Sequence, residues 1–579
     1  MLTRRWLNIS RRHLIFCIPS KKVRQEQDWN NWCATLLNAK SNQRQNSAVV
    51  YFAVLLSIYC VIIALDFACC MLMMISFILY LFLTAMKLSP SKNIKMKVFL
   101  SLVFISLSIS VQAQDDFYAP FLKINSDVQL HSKAYETLKS ATETIGHRLT
   151  GSSNGAKAEA YAFDLLKSYG YEVRYQPFEV ESWSRLTNET QIGSSAGSLS
   201  PIPSVALAHS PVKATVTAEL VDMGNGLEED YAQNPHKVKG KIALVYLGVL
   251  PGSAEGTPSL HRSEKTAIAY KYGAVGIIVV NGVKNGVLLT GTASVTGKLI
   301  AIPAVCIGLE DGMHIKELLT SAPQYASLKM TNFSGLIKAR NVIATLRGEE
   351  MLQEKIVVGG HLDSWDLATG AIDNGIGSFA VIDMARTFKA LKLKTKRTVE
   401  FVLFMGEEQG LLGSKAYVAA AQKAHELDNV KFMLNYDMTN DPKGFSTSRP
   451  QMKVLFNIWG KEIMRIDTGF KNGFYPGAGL HSDHQPFMLQ GIPVGGGGGG
   501  ELPNSSGQFY HSDGDNFKLV DQQQQKNTVR YSAMLTYALA NTPEIPVLRQ
   551  SDEELRVFLQ ENNLKTPLKI AGEWRWKDE

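Results

Sequence analysis

Past residue 132 the apolar positions keep three successive rhythms. Residues 132–176 read as helix, turn, helix, strand: "AKAEAYAFDLLKSYG" is apolar at helical spacing, Gly170 stops it, and "YEVRYQPF" alternates as a strand does. From about 205 to 335 the pattern breaks into short β-rich runs, "ATVTAELVDMG", "KGKIALVYLG", "GAVGIIVVNG" and "IPAVCIG", parted by glycine turns, with one helix near "SEKTAIAYKYGA". From about 338 to 545 strands, "KIVVGG", "VEFVLFM", "KFMLNYD" and "GIPVG", alternate with helical stretches such as "GSFAVIDMARTFKAL". That alternation predicts an α/β fold with a mixed, mostly parallel sheet flanked by helices, interrupted by an inserted β-rich domain. A further helix is expected in the tail, 546–579. The run Gly495–Gly500 offers an unrestrained backbone and suits a flap.

The N-terminal part follows other rules. Residues 49–86 are predominantly apolar, interrupted by Asp66, and long enough to span a bilayer. A second signal starts at Met96: "MKVFLSLVFISLSISVQAQ" has a lysine, a short apolar core and a small-x-small ending, so a signal peptide is expected over 96–113 with cleavage after Ala113. An internal methionine that opens a complete signal peptide makes residues 1–95 an over-extended reading frame, with a membrane anchor at 49–86 as the alternative. Either way the mature portion leaves the cytoplasm, secreted or periplasmic.

Charge changes the picture in one respect. Residues 1–113 hold 13 Lys/Arg and 3 Asp/Glu, which leaves 47 and 50 for the rest, so the net +7 belongs to the N-terminal segment. The folded part is near neutral and offers no basic face for nucleic acid. Five of six cysteines lie in the first 70 residues; Cys306 alone follows, which excludes an internal disulfide or a cysteine-based zinc site there.

Candidate chemistry gathers at strand ends, where α/β sheets place their ligands. One strand runs into His361, one into Glu407 and Glu408, and one into Asp437. Asp373 sits in a glycine-flanked loop before a helix, and His511 in the polar loop "GQFYHSDGDNF". Two imidazoles with several carboxylates suit a borderline-hard divalent cation such as zinc. Without cations those carboxylates would repel one another. Glu407 and Glu408 are adjacent at a strand end, so their side chains diverge: one can coordinate while the other serves as a general base.

The set "GGHLDSW…AIDNG…GEEQGLLGS…NYDM…YHSDGD", with "GHRLTGSSNGAKAEAYAFDLLKSYGYEV" upstream, resembles the co-catalytic zinc aminopeptidase/carboxypeptidase superfamily, most of all its plasma glutamate carboxypeptidase branch. The block 205–335 resembles a protease-associated domain. The resemblance implies a zinc exopeptidase fold, with catalytic parts at 114–204 and 336–545. It implies two zinc ions per chain, other divalent metals being possible: His361 and Asp437 on one, Glu408 and His511 on the other, Asp373 bridging. Glu407 is then the base, and Asp363 holds the His361 imidazole. The pattern departs at Asn374, where many relatives carry aspartate and where a cis peptide follows the bridging residue. In "LHSDHQPF", His481, Asp483 and His484 are candidates, as is Asn374, for contact with substrate or with the ligands. The implied activity is hydrolysis of short unblocked peptides, dipeptides above all, by a homodimer. The competing readings are a non-catalytic receptor on the same fold and a glutaminyl cyclase-like zinc transferase.

Overall fold

The computed structural model describes residues 117–577. The expected apolar span at 49–86 and the signal peptide at 96–113 lie outside them. No helix among the described residues is long and apolar enough to cross a membrane.

Three helices come first: α1 (Tyr118–His131), α2 (Ala134–Thr144) and α3 (Ser153–Ser168). Ser152 starts α3 as its N-cap, accepting from Gly155 N at 3.0 Å. The chain then enters β1 (Glu172–Ser195), β2 (Ser198–Ile202), β3 (Val205–Ala206), β4 (Lys213–Asp222) and β5 (Ile242–Tyr246). Next come α4 (Arg262–Lys271), β6 (Gly276–Val280), β7 (Ala304–Ile307), α5 (Leu309–Ser321) and β8 (Gln324–Leu346). The C-terminal part holds β9 (Met351–His361), α6 (Ile376–Ala390), β10 (Arg397–Phe404), α7 (Leu412–Lys423) and β11 (Val430–Asn435). It continues through β12 (Gly444–Thr447), α8 (Lys453–Ile466), β13 (Gly473–Pro476), α9 (His484–Met488), β14 (Val494–Gly498) and α10 (Gln522–Asn541). Two tail helices follow, α11 (Asp552–Glu561) and α12 (Lys565–Ile570).

The strands form one continuous sheet in the order β13-β12-β14-β11-β9-β10-β8-β4-β5-β6-β7-β3. Strands β9, β10, β11 and β14 run parallel, as do β4 to β7. The two parallel groups meet on β8, which runs uninterrupted across residue 335. Its C-terminal end pairs antiparallel with β10 and its N-terminal end with β4, while β1 pairs along its length. The inserted block is thus joined by a long two-stranded ribbon rather than by a loop.

Both faces of each parallel group are buried, which explains the near-continuous apolar strands. In β10, Val399, Phe401 and Leu403 enter one core cluster, with α6 and α10, while Val402 and Phe404 enter the other, with α7, α9 and the tail helices. In β5 and β6, Ala243, Val245, Ile277 and Val279 face one core and Leu244, Ile278 and Val280 the opposite one. Cys306 is fully buried in the first of these, and burial pushes its thiol up to about 12.

One expectation is corrected. The glycine run is no flap: Gly495–Gly498 belong to β14, paired with β11 on one side and β12 on the other. Neighbouring groups crowd it, for a Cβ on Gly495 would stand 2.3 Å from the Ser446 carbonyl oxygen. Glycine here serves close backbone approach, not freedom.

Candidate active site

The parallel register of β9, β10 and β11 sets His361, the Gly406–Glu408 turn and Asp437 side by side at one sheet edge. Asp373 lies in the turn Ala371–Gly375 that leads into α6, next to a cis Asp373–Asn374 peptide bond. Its two carboxylate oxygens face different imidazoles: Oδ1 is 3.3 Å from His361 Nε2 and Oδ2 is 3.1 Å from His511 Nε2. Each imidazole meets one further carboxylate, Asp437 Oδ1 at 3.3 Å from His361 Nε2 and Glu408 Oε2 at 3.0 Å from His511 Nε2. All five residues expected as ligands therefore converge, and His361, Asp373 and Glu408 are buried with one potential ligand atom each mutually within 4.8 Å.

Asp363 touches His361 differently from its expected role. His361 Nδ1 meets the Asp363 backbone carbonyl at 3.1 Å, whereas the carboxylate stands off at 3.6 Å and accepts instead from Glu407 N at 3.3 Å. Asn374 works on the backbone: Nδ2 donates to the carbonyls of Tyr436 (2.8 Å) and His361 (3.3 Å), and Oδ1 accepts from Met438 N (2.9 Å). Two strand ends approach so closely here that a Cβ on Gly360 would lie 2.4 Å from the Tyr436 carbonyl oxygen.

The second polar cluster divides. Ser482 donates to Asp437 Oδ2 at 2.6 Å. Asp483 is fully buried, and its carboxyl is pushed up to about 7 by burial first, with the charges of Asp363 and Asp437 adding and His361 opposing. His481 stacks on His261 at 4.7 Å and lines the cleft, while His484 Nε2 meets the Gly479 carbonyl at 3.1 Å.

Four supporting residues escaped the sequence reading. Arg148, wholly buried, donates to the carbonyls of Leu362, Thr369 and Gly370 at 2.6, 2.6 and 2.8 Å, fixing the loop after His361. Asp515 accepts from the backbone N–H groups of Ile372 and Asp373 at 2.8 and 3.0 Å, so it fixes the turn that carries Asp373. From the inserted block, Thr290 N donates to the His511 carbonyl at 2.9 Å; the Thr290 carbonyl and Arg262 Nη2 lie 3.3 and 3.1 Å from His511 Nδ1. Charged residues in short glycine-containing motifs, as in "GHRLTG" and "HSDGDN", were the available signal for the first two. Nothing local marks Thr290 or Arg262.

Burial pushes the Glu408 carboxyl up to about 7, with the Asp373 charge adding and His511 opposing. Burial likewise drives Glu407 well above the carboxylate range, against the attraction of His361. For His361 burial acts downward, but Asp437, Glu407, Asp363 and Asp373 together outweigh it and hold the imidazole well above its ordinary value. Glu408 Oε1 and Asp363 Oδ2 are buried with no hydrogen-bond partner. Carboxylates packed this way, with an orphaned oxygen among them, fit a cation-binding site. Beside it runs an open cleft lined by Glu407, Glu408 and His511, by the inserted block and by the tail.

Residues 341–536 match peptidase family M28, and residues 216–315 match the PA domain. Carboxypeptidase Q of Xenopus laevis is 25% identical over 454 residues, 75% of this chain and 92% of its own. The aminopeptidase from Aneurinibacillus sp. strain AM-1 aligns with a TM-score of 0.56 at 26% identity, covering 75% of this chain and 98% of that one. A structure from Bacillus subtilis described as a zinc aminopeptidase aligns at 0.54 and 23% identity, over 72% and 96% of the two chains. The converging imidazoles and carboxylates, the parallel strands that carry them and the inserted domain agree with these matches: residues 341–536 are an M28 peptidase domain, residues 216–315 a PA domain, and the chain is a metallo-exopeptidase.

Proposed function

We propose that the enzyme holds two zinc ions and removes terminal residues from short peptides with unblocked ends, dipeptides above all. The observation that carries this is the split allegiance of Asp373, one oxygen towards His361 and the other towards His511. In this reading His361 and Asp437 hold one ion, Glu408 and His511 the other, and Asp373 is shared. The description of the B. subtilis neighbour as a zinc aminopeptidase supports the choice of metal.

When bound, zinc supplies a Lewis acid for the scissile carbonyl and acidifies a water molecule. The remaining work falls to this chain's own groups. Glu407 lines the cleft beside the ligands, with its backbone N–H tied to Asp363. It takes the proton of the attacking water and returns it to the leaving amine. The Asp363 carbonyl fixes the ring of His361 and Asp515 fixes Asp373, so both are pre-set before substrate arrives.

Assembly as a homodimer and export after cleavage near Ala113 complete the proposal. The test is a panel of dipeptides, tripeptides and end-blocked analogues, assayed with and without chelator, beside metal analysis of the purified chain. Cleavage confined to free-ended short peptides, lost on chelation and restored by zinc, is the expected result. A chain free of metal and indifferent to its addition sinks the reading.

A further inference from the structure

The C-terminal tail lies beyond both matched domains, yet it reaches the cleft. Leu568, Ala571 and Glu573 line the same space as Glu407, Glu408 and His511. Three separate attachments hold it. Leu568 is fully buried in the core cluster that contains Phe404, Tyr417 and Phe487. Ile570 packs against the core of the inserted block. Glu573 pairs with Lys415 of α7 at 2.8 Å and accepts from Gln485 of α9 at 2.6 Å. A segment tied to the catalytic part by apolar burial and by charge, and to the inserted block by a second apolar contact, is a wall and not a strap.

We propose that this tail sets substrate length. Its residues Leu568, Ala571 and Glu573 form one side of the cleft that Glu407, Glu408 and His511 also line, so an extended chain leaving those carboxylates on that side meets the tail. Each further residue of an extended peptide needs about 3.3–3.6 Å, and a fixed wall cannot yield it. The inference rests on the exopeptidase reading of the site and adds the element that makes it selective for short chains.

The experiment uses the full chain and a ladder of free-ended alanine-rich peptides of two to five residues, reading kcat/KM at each length. The parent is expected to favour the dipeptide over the pentapeptide by about tenfold or more. Glu573→Ala, which releases the wall from Lys415 and Gln485, should raise the pentapeptide-to-dipeptide ratio by about fivefold. Ala571→Trp, which thickens the wall, should lower it by a similar factor. Thermal melts show whether each variant folds; a drop in melting temperature without movement of the ratio is what a merely structural tail gives, and it overturns the proposal. A parent that cleaves all lengths equally overturns it too, along with the dipeptide preference but not the exopeptidase activity, whereas a parent that cleaves no peptide overturns both.

Discussion

The side-chain amide of Asn374 donates to the carbonyl oxygen of Tyr436 at 2.8 Å and so ties the turn that carries Asp373 to the strand end that carries Asp437. Asparagine, not aspartate, fits this position: the group must donate to two carbonyls and accept from one N–H, and a carboxylate cannot donate. Asn374→Asp is therefore expected to cost about 1–3 kcal/mol of stability, the usual penalty for a buried polar group left without its partner. Urea unfolding at neutral pH measures it; an unchanged midpoint would show that the tie is dispensable.

Asp373 faces both imidazoles, while Asp437 faces only His361. On the proposed two-zinc site, Asp373→Asn should accordingly deplete both ions, and Asp437→Asn mainly one. Metal per chain after dialysis reads the difference directly. Equal stoichiometry in the two variants would refute the shared role of Asp373.

Glu407 lines the cleft but makes none of the carboxylate–imidazole contacts that join the five candidate ligands. Glu407→Gln should lower kcat by about 10²–10⁴-fold, the range of general acid–base catalysis, while zinc content stays at the parent level. Retained activity would reassign the base.

His209 provides a pH-dependent term from the inserted block. It is fully buried in the inserted block, bonded through Nδ1 to Thr292 Oγ1 at 2.8 Å, and burial lowers its pKa to about 4 from 6.5. The unfolded chain binds the proton first, so the contribution of His209 is complete above pH 6.5 and is lost as pH falls from 6.5 towards 4. At about 1.4 kcal/mol per pKa unit the loss is on the order of 3 kcal/mol. His209→Asn, which tolerates the positive φ of 66° at this position, should flatten the stability curve between those pH values relative to the parent. Parallel curves for the two proteins would place the neutral imidazole elsewhere.

Much of the site was legible because its parts are local. Short, near-continuous apolar runs mark β9, β10 and β11, and a parallel sheet puts ligands at strand ends, so His361, Glu408 and Asp437 could be read off in order. The glycine run misled because composition says only that a backbone is permitted to bend. The carbonyls of Ser446 and Asn435, close to Gly495 and Gly496, decided that it stays extended.

The sequence by itself determined which residue types are present, the strand and helix rhythm that carries them, and thus the class of chemistry. Tertiary structure alone decided which distant groups hold that chemistry in place. Thr290 and Arg262 reach His511 across more than two hundred residues, Arg148 grips the loop after His361, and Leu568 and Glu573 line the cleft from the tail. Periodicity reports how a segment faces its own neighbours. Contacts such as these depend on how the β1–β8 ribbon and the tail bring separate segments together, and no local pattern encodes that.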